Sequence, residues 1–137
     1  MADDGAVTRV GSGSPYEDAY GFSRAVRAGG TVHVAGSGPI WPDGSCDPSA
    51  ERQATRCFEI IAAALAQVGV SLDDVVRTRM YLTDAAVADE VGRAHAQAVG
   101  HVRPAATMVV VAGLVDPRWL VEIEAEAVPG PTRDIDR

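Results

Sequence analysis

The strictest pattern in the chain is an alternation of apolar and acidic residues near its C-terminal end. Every second position from Trp119 to Ala127 is apolar, and Glu122, Glu124 and Glu126 stand between the last four of them. Because successive side chains of a strand point to opposite faces, this period of two predicts a strand over residues 119–128. Such a strand needs a sheet whose apolar face is covered by a second layer.

Two segments have the helical spacing that could supply this layer. Asp47 or Ser49 can cap the first, and Gly69 is placed to end it. Its inward residues recur along one face: Cys57, Ile60, Ile61, Ala64, Leu65 and Val68. The second is predicted over residues 86–99, ending at Gly100, with Val91, Ala94, Ala98 and Val99 inward.

Further strands are predicted at four places. Residues 23–28 and 31–35 form a hairpin across Gly29-Gly30, residues 75–82 form a strand with Val76, Thr78, Met80 and Leu82 on one face, and Val109-Val110-Val111 marks a buried strand. The order β-β-α-β-α-β-β predicts an α+β fold, a mixed sheet covered on one face by two helices. The other face, with Met108 or Val109, is expected to be buried against other subunits.

Composition excludes several classes of function. The chain has 137 residues and a net charge of −7, its 12 basic residues are all arginine, and it contains no lysine. A Schiff-base lysine, a lysine-bound pyridoxal phosphate and a P-loop lysine are therefore excluded. The acidic balance argues against nucleic-acid binding, which depends on clustered positive charge. With only 5% aromatic residues, the core must be aliphatic and rich in alanine.

The length suggests one domain over residues 16–128, with flexible tails at residues 1–15 and 129–137. No secretory signal is apparent, and no apolar run is long enough to cross a membrane, so a cytoplasmic protein is expected. Cys46 and Cys57 match no metal-ligand spacing, and the three histidines are scattered, so no metal site is predicted.

Three blocks of sequence, in this order and spacing, resemble the Rid (YjgF/RidA) family. They read GFSRAVRAGGTVHVAGSGPI, ALAQVGVSLDDVVRTRMYLTD and RPAATMVVVAGLVDPRWLVEIEAEAV. The resemblance implies a chorismate-mutase-like fold and a homotrimer with a central β-barrel and one cleft at each subunit interface. It also implies hydrolysis of reactive enamines and imines to a keto acid and ammonia, without a cofactor.

That chemistry requires a clamp for the substrate carboxylate and a group that activates water. An arginine suits the clamp, since its planar fork binds a carboxylate at two points. A carboxylate suits the water. The resemblance assigns the water-activating role to Glu122, the first glutamate of the Glu-Ile-Glu-Ala strand, and places the glycine that ends the second strand at Gly36. If Glu122 is buried beside Phe22 and Met108, its pKa should rise.

Three positions depart from the family pattern. Ala106 occupies the position of the deaminase arginine, Met108 that of a common cysteine, and Phe22 that of a tyrosine. These changes make the pocket apolar, indicate a subgroup lacking the deaminase arginine, and argue against the standard 2-iminopropanoate deaminase activity. Arg93 and Arg103 are the first candidates to replace the arginine, and Arg24 and Arg79 are further ones. Each could equally be a solvated or salt-bridged surface residue.

Three hypotheses remain open from sequence. The first is a hydrolase of imines or enamines, with a bulkier or less acidic substrate. The second is a trimer that binds a small metabolite in its interface clefts without turnover. The third, endoribonuclease, is disfavoured by the net charge. The glutamate row could also be no more than a solvated or arginine-paired face, and His95 could be a proton shuttle or an ordinary surface histidine.

Overall fold

The structure, a computed structural model, describes residues 6–130. Its strands are β1 (Val7–Val10), β2 (Ala25–Ala28), β3 (Thr31–Ser37), β4 (Val75–Leu82), β5 (Ala105–Val110) and β6 (Val121–Ala127). Its helices are α1 (Pro15–Tyr20), α2 (Ala50–Ala66) and α3 (Ala88–Val99), with short 3-10 turns at Leu72–Asp74 and Ala85–Val87. Within this part of the chain no helix is long and apolar enough to span a bilayer.

All six strands belong to one sheet, in the order β1-β2-β3-β6-β4-β5. The β4–β5 pair is parallel and the other neighbouring pairs are antiparallel. Helix α2 crosses over β6 between β3 and β4, and α3 connects the parallel pair, so both long helices lie on one face. The predicted mixed sheet covered on one face by two helices is confirmed.

The core lies between this sheet and the two helices, and it is aliphatic and alanine-rich as predicted. Buried positions of β6 are Val121, Ile123, Ala125 and Ala127, the apolar half of the alternation. Ser49 caps α2 through its hydroxyl, which accepts a hydrogen bond from the Arg52 amide at 3.2 Å. Gly69, at φ 74°, ends the helix in a Schellman arrangement, with the Val70 amide bonded to the Leu65 carbonyl.

The N-terminal segment differs from the prediction of a flexible tail through residue 15. Strand β1 pairs with β2 in antiparallel register, and the Ser14 hydroxyl caps the short helix α1. The segment has little apolar periodicity because it gains its order from backbone hydrogen bonds to β2, which depend on β2 being in place. Residues 1–5 and 131–137 of the predicted tails lie outside the described residues.

Two details of the strands also differ from the sequence expectation. The register of β4 shifts between Val75 and Arg77, so that Val75 is buried and Val76 is 46% exposed. Strand β5, expected to be buried, is an edge strand, with Val109 42% and Val110 57% exposed in the single chain. An apolar run alone does not distinguish a central strand from an edge strand that is covered only by another subunit.

Candidate functional site

A cleft opens on the sheet face that the helices leave uncovered. Its volume is about 380 Å³. The lining combines two carboxylates, one phenol, apolar side chains and two glycines: Glu122, Glu124, Tyr81, Val111, Leu114, Val115, Gly36 and Gly113. The polar groups come from β4 and β6, and the apolar ones come from the segment that follows β5.

Glu122 is the half-buried carboxylate at the floor of this cleft. It is paired with Tyr81 of β4, and since its strand neighbours Val121 and Ile123 are buried under the helices, its side chain leaves on the uncovered face. A β-carbon built on Gly36 would lie 2.1 Å from Glu122 Oε2. The carboxylate therefore occupies the space that a side chain on β3 would need.

Burial raises the pKa of Glu122, and the neighbouring Glu124 adds to the rise, whereas the positive charge of Arg24 opposes it. The direction agrees with the expectation from sequence, but the surroundings differ. The confinement against Gly36 contributes to that burial, and Met108 lies elsewhere in the fold. A carboxyl group with a raised pKa is suited to exchanging protons near neutral pH.

Arg24 lies just before β2 and reaches toward the same glycine. Its Nη2 donates to the Gly36 carbonyl oxygen at 2.6 Å. Its Nε is buried and has no hydrogen-bond partner among residues 6–130. Desolvation lowers the pKa of Arg24, while the charges of Glu17 and Glu122 act in the opposite direction.

Tyr81 and Glu124 form a second polar pair in the cleft, and sequence reasoning missed both. The Tyr81 hydroxyl donates to Glu124 Oε1, a bond that, together with burial, raises the pKa of Tyr81. Tyr81 alternates with Arg77 and Arg79 on β4, which indicated its face. The alternation did not indicate that β6 would be the neighbouring strand, so the pair could not be found from sequence.

Ala106 and Met108 lie on the opposite face of the sheet from Glu122. They pair with Thr78 and Met80, both buried beneath the helices. The Met108 Cε is 3.8 Å from where a β-carbon on Gly92 of α3 would stand. Within one chain, the predicted pocket residues are therefore divided between two faces, and a cleft containing both sets requires more than one subunit.

Arg93 and Arg103 are also apart from Glu122 in the single chain, and Phe22 is not among the residues that line the cleft. Arg93 is paired with Glu51, Nε to Oε1 at 3.0 Å, in the helix layer. Arg103 precedes β5 and so lies near the start of β4, whereas Tyr81, which pairs with Glu122, is near its end. Phe22 lies two residues before Arg24 and is 43% exposed.

His95 lies between α3 and the sheet and is half-buried, so it is not an ordinary surface histidine. Its Nε2 is 2.8 Å from the Thr78 hydroxyl, its ring meets Phe58 edge-on, and burial lowers its pKa. This half-buried contact joins helix to sheet. Among the residues that the structure describes, no group of histidine, cysteine and acidic side chains could hold a metal ion.

Comparison with known proteins places this chain in a family. The family model described as endoribonuclease L-PSP matches residues 14–129. An uncharacterized protein of Streptomyces coelicolor is 43% identical over 128 residues, covering 91% of this chain and 94% of that protein. A RutC family protein of Pyrococcus abyssi is 32% identical over 108 residues, covering 77% and 84% of the two chains.

Comparison with solved structures leads to the same family. A protein of Mycobacterium tuberculosis, described as a member of the highly conserved YjgF/YER057c/UK114 family, is 45% identical with a TM-score of 0.83. The match covers 90% of this chain and all of that one, 100%. A putative endoribonuclease of Thermotoga maritima is 30% identical with a TM-score of 0.76, covering 90% of this chain and 93% of that one. These two structures confirm the predicted chorismate-mutase-like fold. The chain belongs to the YjgF/Rid family.

Proposed function

We propose that the protein hydrolyses imines, or enamines after their conversion to imines, with Glu122 as the group that activates water. The observation that carries this proposal is the position of Glu122, half-buried in the cleft, against Gly36, with a raised pKa. An imine carbon is already electrophilic, so a single well-placed base contributes much of the required catalysis.

The reaction balances with water as the only second reactant. Glu122 accepts a proton from water while the water oxygen bonds to the carbon of the protonated imine, and the electron pair of the C=N double bond moves to nitrogen and leaves a neutral amine. Glu122 then returns this proton to the amine nitrogen. As the C–N bond breaks and ammonia leaves, Glu122 takes the hydroxyl proton and the C=O double bond of the carbonyl product forms. The side chains of Val111, Leu114 and Val115 would contact the apolar part of the substrate.

A direct assay tests this proposal. Imines are generated by an amino-acid oxidase or an amine oxidase, from small and from aromatic amines, and their decay is followed with and without the protein. We expect acceleration by the wild type and a loss of about 100-fold or more in Glu122→Gln, the usual range for removal of a general base.

Glu126→Gln is the matched control, because Glu126 shares the strand face with Glu122. It is bound to His33 at 3.0 Å and faces Arg79 at 3.8 Å, outside the cleft lining. Its activity should equal that of the wild type. A wild type that leaves every imine at its background rate would refute the hydrolase.

A second candidate function is binding of a small ligand without turnover. It is favoured by the alanine at position 106, where the family pattern has an arginine, and by the apolar part of the cleft lining. A thermal shift with a metabolite, lost in Glu122→Gln and accompanied by no change in that metabolite, would support it. Two carboxylates in the cleft and the net charge of −7 argue against RNA as the substrate.

We also infer that the working form is a homotrimer. Met108, Val109 and Val110 of β5 are all exposed in the single chain. Contiguous exposed apolar residues on an edge strand are typical of a subunit contact. An interface there would also bring Ala106 and Met108 of one chain toward another chain.

A further inference from the structure

The backbone around Arg24 directs its side chain to the face of the sheet that carries Glu122. The Arg24 amide donates to the Val10 carbonyl at 2.8 Å, and its own carbonyl accepts from the Ala35 amide at 3.0 Å. The next residue, Ala25, is buried under the helices and pairs with Val34. Because side chains alternate along a strand, Arg24 must point to the uncovered face.

Gly36 allows Arg24 and Glu122 to act on one another across β3. The two lie on opposite sides of this strand, since β3 stands between β2 and β6 in the sheet. The Arg24 Nη2 holds the Gly36 carbonyl at 2.6 Å, and the Glu122 carboxylate fills the space above the Gly36 α-carbon. The guanidinium and the carboxylate therefore both lie against one residue, and that residue has no side chain to place between them.

Two other arginines of this face are engaged elsewhere, and a third, Arg9, lies on β1 at the edge of the sheet, separated from β6 by β2 and β3. Arg79 faces Glu126 at 3.8 Å, and Arg77 donates to the Thr107 hydroxyl at 2.8 Å. The charged and titratable groups that influence Glu122 or are influenced by it are Arg24, Glu124 on its own strand, Tyr81 on β4 and the buried Cys57 on α2. Of these, Arg24 is the positive one.

We propose that Arg24 is a positioning residue for Glu122: its guanidinium fixes the Gly36 backbone on which the carboxylate rests and places a positive charge on the other side of that glycine. The importance of this role for catalysis rests on the proposed function, since only a charged carboxylate can accept a proton from water. An arginine remains charged even when partly buried, so this support persists at every pH at which the protein is folded.

The direct test is a titration of the glutamate side-chain carboxyls by carbon-13 NMR in the full-length protein. In Arg24→Gln a positive neighbour of Glu122 is lost, so its carboxylate is less favoured and its titration should move to higher pH. Arg24→Lys keeps the charge and should restore most of the wild-type titration. Arg79→Gln is the matched control on the same face. In this variant Glu122 should titrate at the same pH as in the wild type.

The pH dependence of turnover gives a second measurement. A base is active when deprotonated, so a higher pKa for Glu122 moves the acid limb of the profile to higher pH. At a pH on that limb, Arg24→Gln should lose about tenfold in kcat/KM, and the loss should shrink as the pH rises. A loss that is equal at every pH would indicate a purely structural role and would overturn the proposal.

The titration and the activity separate the two proposals. If no imine is hydrolysed but Glu122 titrates higher in Arg24→Gln, the positioning role stands and the hydrolase is refuted. If imines are hydrolysed but Glu122 titrates identically in both proteins, the role of Arg24 is refuted and the hydrolase stands. A loss confined to carboxylate-bearing substrates, with the titration unchanged, would likewise refute positioning and make Arg24 a substrate clamp.

A reciprocal measurement keeps the test valid if Arg24→Gln does not fold. In Glu122→Gln the guanidinium loses its charged neighbour, so the Arg24 nitrogen-15 signals should shift and its protons should exchange faster with water. The same signals should be unchanged in Glu126→Gln. Arg24 signals identical in the wild type and Glu122→Gln would overturn the proposal.

Discussion

Three carboxylates on one face of β6 have three different surroundings. Glu126 is bound by His33 and faces Arg79, Glu124 accepts from the Tyr81 hydroxyl, and Glu122 is pressed against Gly36. The first arrangement is a surface ion pair, which contributes little to stability. The Glu122 carboxylate is confined and faces a cleft, and burial disfavours its charged form. Such surroundings are typical of a catalytic carboxylate.

At the residue scale, Gly36→Ala tests whether Glu122 must occupy its present place. The new β-carbon would meet Oε2 at 2.1 Å, so the carboxylate must turn away from Gly36. We expect the free energy of unfolding to fall by no more than about 1–3 kcal/mol, because the carboxylate can move into the open cleft. We also expect a fall of about 100-fold in imine hydrolysis, because the base is misplaced.

Gly30→Ala is the control for this substitution, since a β-carbon at that position meets nothing within 4 Å. Denaturant unfolding and the imine assay should both give values close to those of the wild type. Gly36→Ala with full activity would show that the position of Glu122 against Gly36 is not required.

At the scale of elements, a buried glutamine joins α2 to the segment that leads into β6. The Gln53 amide nitrogen donates to the Asp47 carbonyl at 2.7 Å and to the Arg118 carbonyl at 3.1 Å. Its oxygen accepts from the Leu120 amide at 2.7 Å. One side chain thus satisfies three backbone groups in the interior, which the irregular segment cannot satisfy through a ladder of its own.

Gln53→Ala should therefore be strongly destabilising, by about 2–4 kcal/mol in the free energy of unfolding. It removes the Gln53 bond from all three backbone groups, leaves the Asp47 and Arg118 carbonyls only the weak contacts of the Cys46 thiol at 3.8 and 3.9 Å, and opens a cavity beside them. Urea unfolding followed by circular dichroism measures the change. Gln67→Ala is the control, because the Gln67 side chain is exposed and donates one hydrogen bond, to the Gly11 carbonyl at 3.3 Å. Its effect should stay within about 0.5 kcal/mol, and equal effects for both variants would contradict this account of Gln53.

The elements were predicted well where one side of them is buried in the single chain. The two long helices, the hairpin and the amphipathic strand β6 have a strong period because the core requires it. Strand β1 was missed because its order comes from pairing with β2 rather than from an apolar face. The bulge at the start of β4 was missed because a register shift depends on the partner strand, which sequence does not identify.

For the whole molecule, the uncovered sheet face and the exposed edge strand β5 predict self-association. Val109 pairs with Tyr81 and so lies on the uncovered face, 42% exposed. Val109→Asp would place an unpaired charge in an interface on this face. We expect the trimer dissociation constant to rise by at least about 100-fold, since a buried unpaired charge costs several kcal/mol.

Sedimentation equilibrium measures this change directly. Tyr20→Asp is the control, because Tyr20 is 76% exposed on α1, which is not part of the sheet. It should assemble as the wild type does. A wild type that sediments as a monomer at micromolar concentration would refute the trimer, and a trimeric Val109→Asp would place the interface elsewhere.

The order of the amino acids was sufficient to predict the class of fold, the composition of the core, the family and Glu122 as a candidate catalytic residue. The fold class and the core depend on residue type and on a period along the chain, because burial selects apolar side chains at the period of the element. The family and the role of Glu122 came from the resemblance of three sequence blocks to the Rid family. The folded chain alone shows that Arg24 and Glu122 meet at Gly36, that Tyr81 holds Glu124, and that Ala106 and Met108 face away from them. These contacts depend on which strands are neighbours in the sheet. Strands pair through backbone hydrogen bonds, which are the same for nearly every residue type, so the sequence of side chains says little about which strands pair.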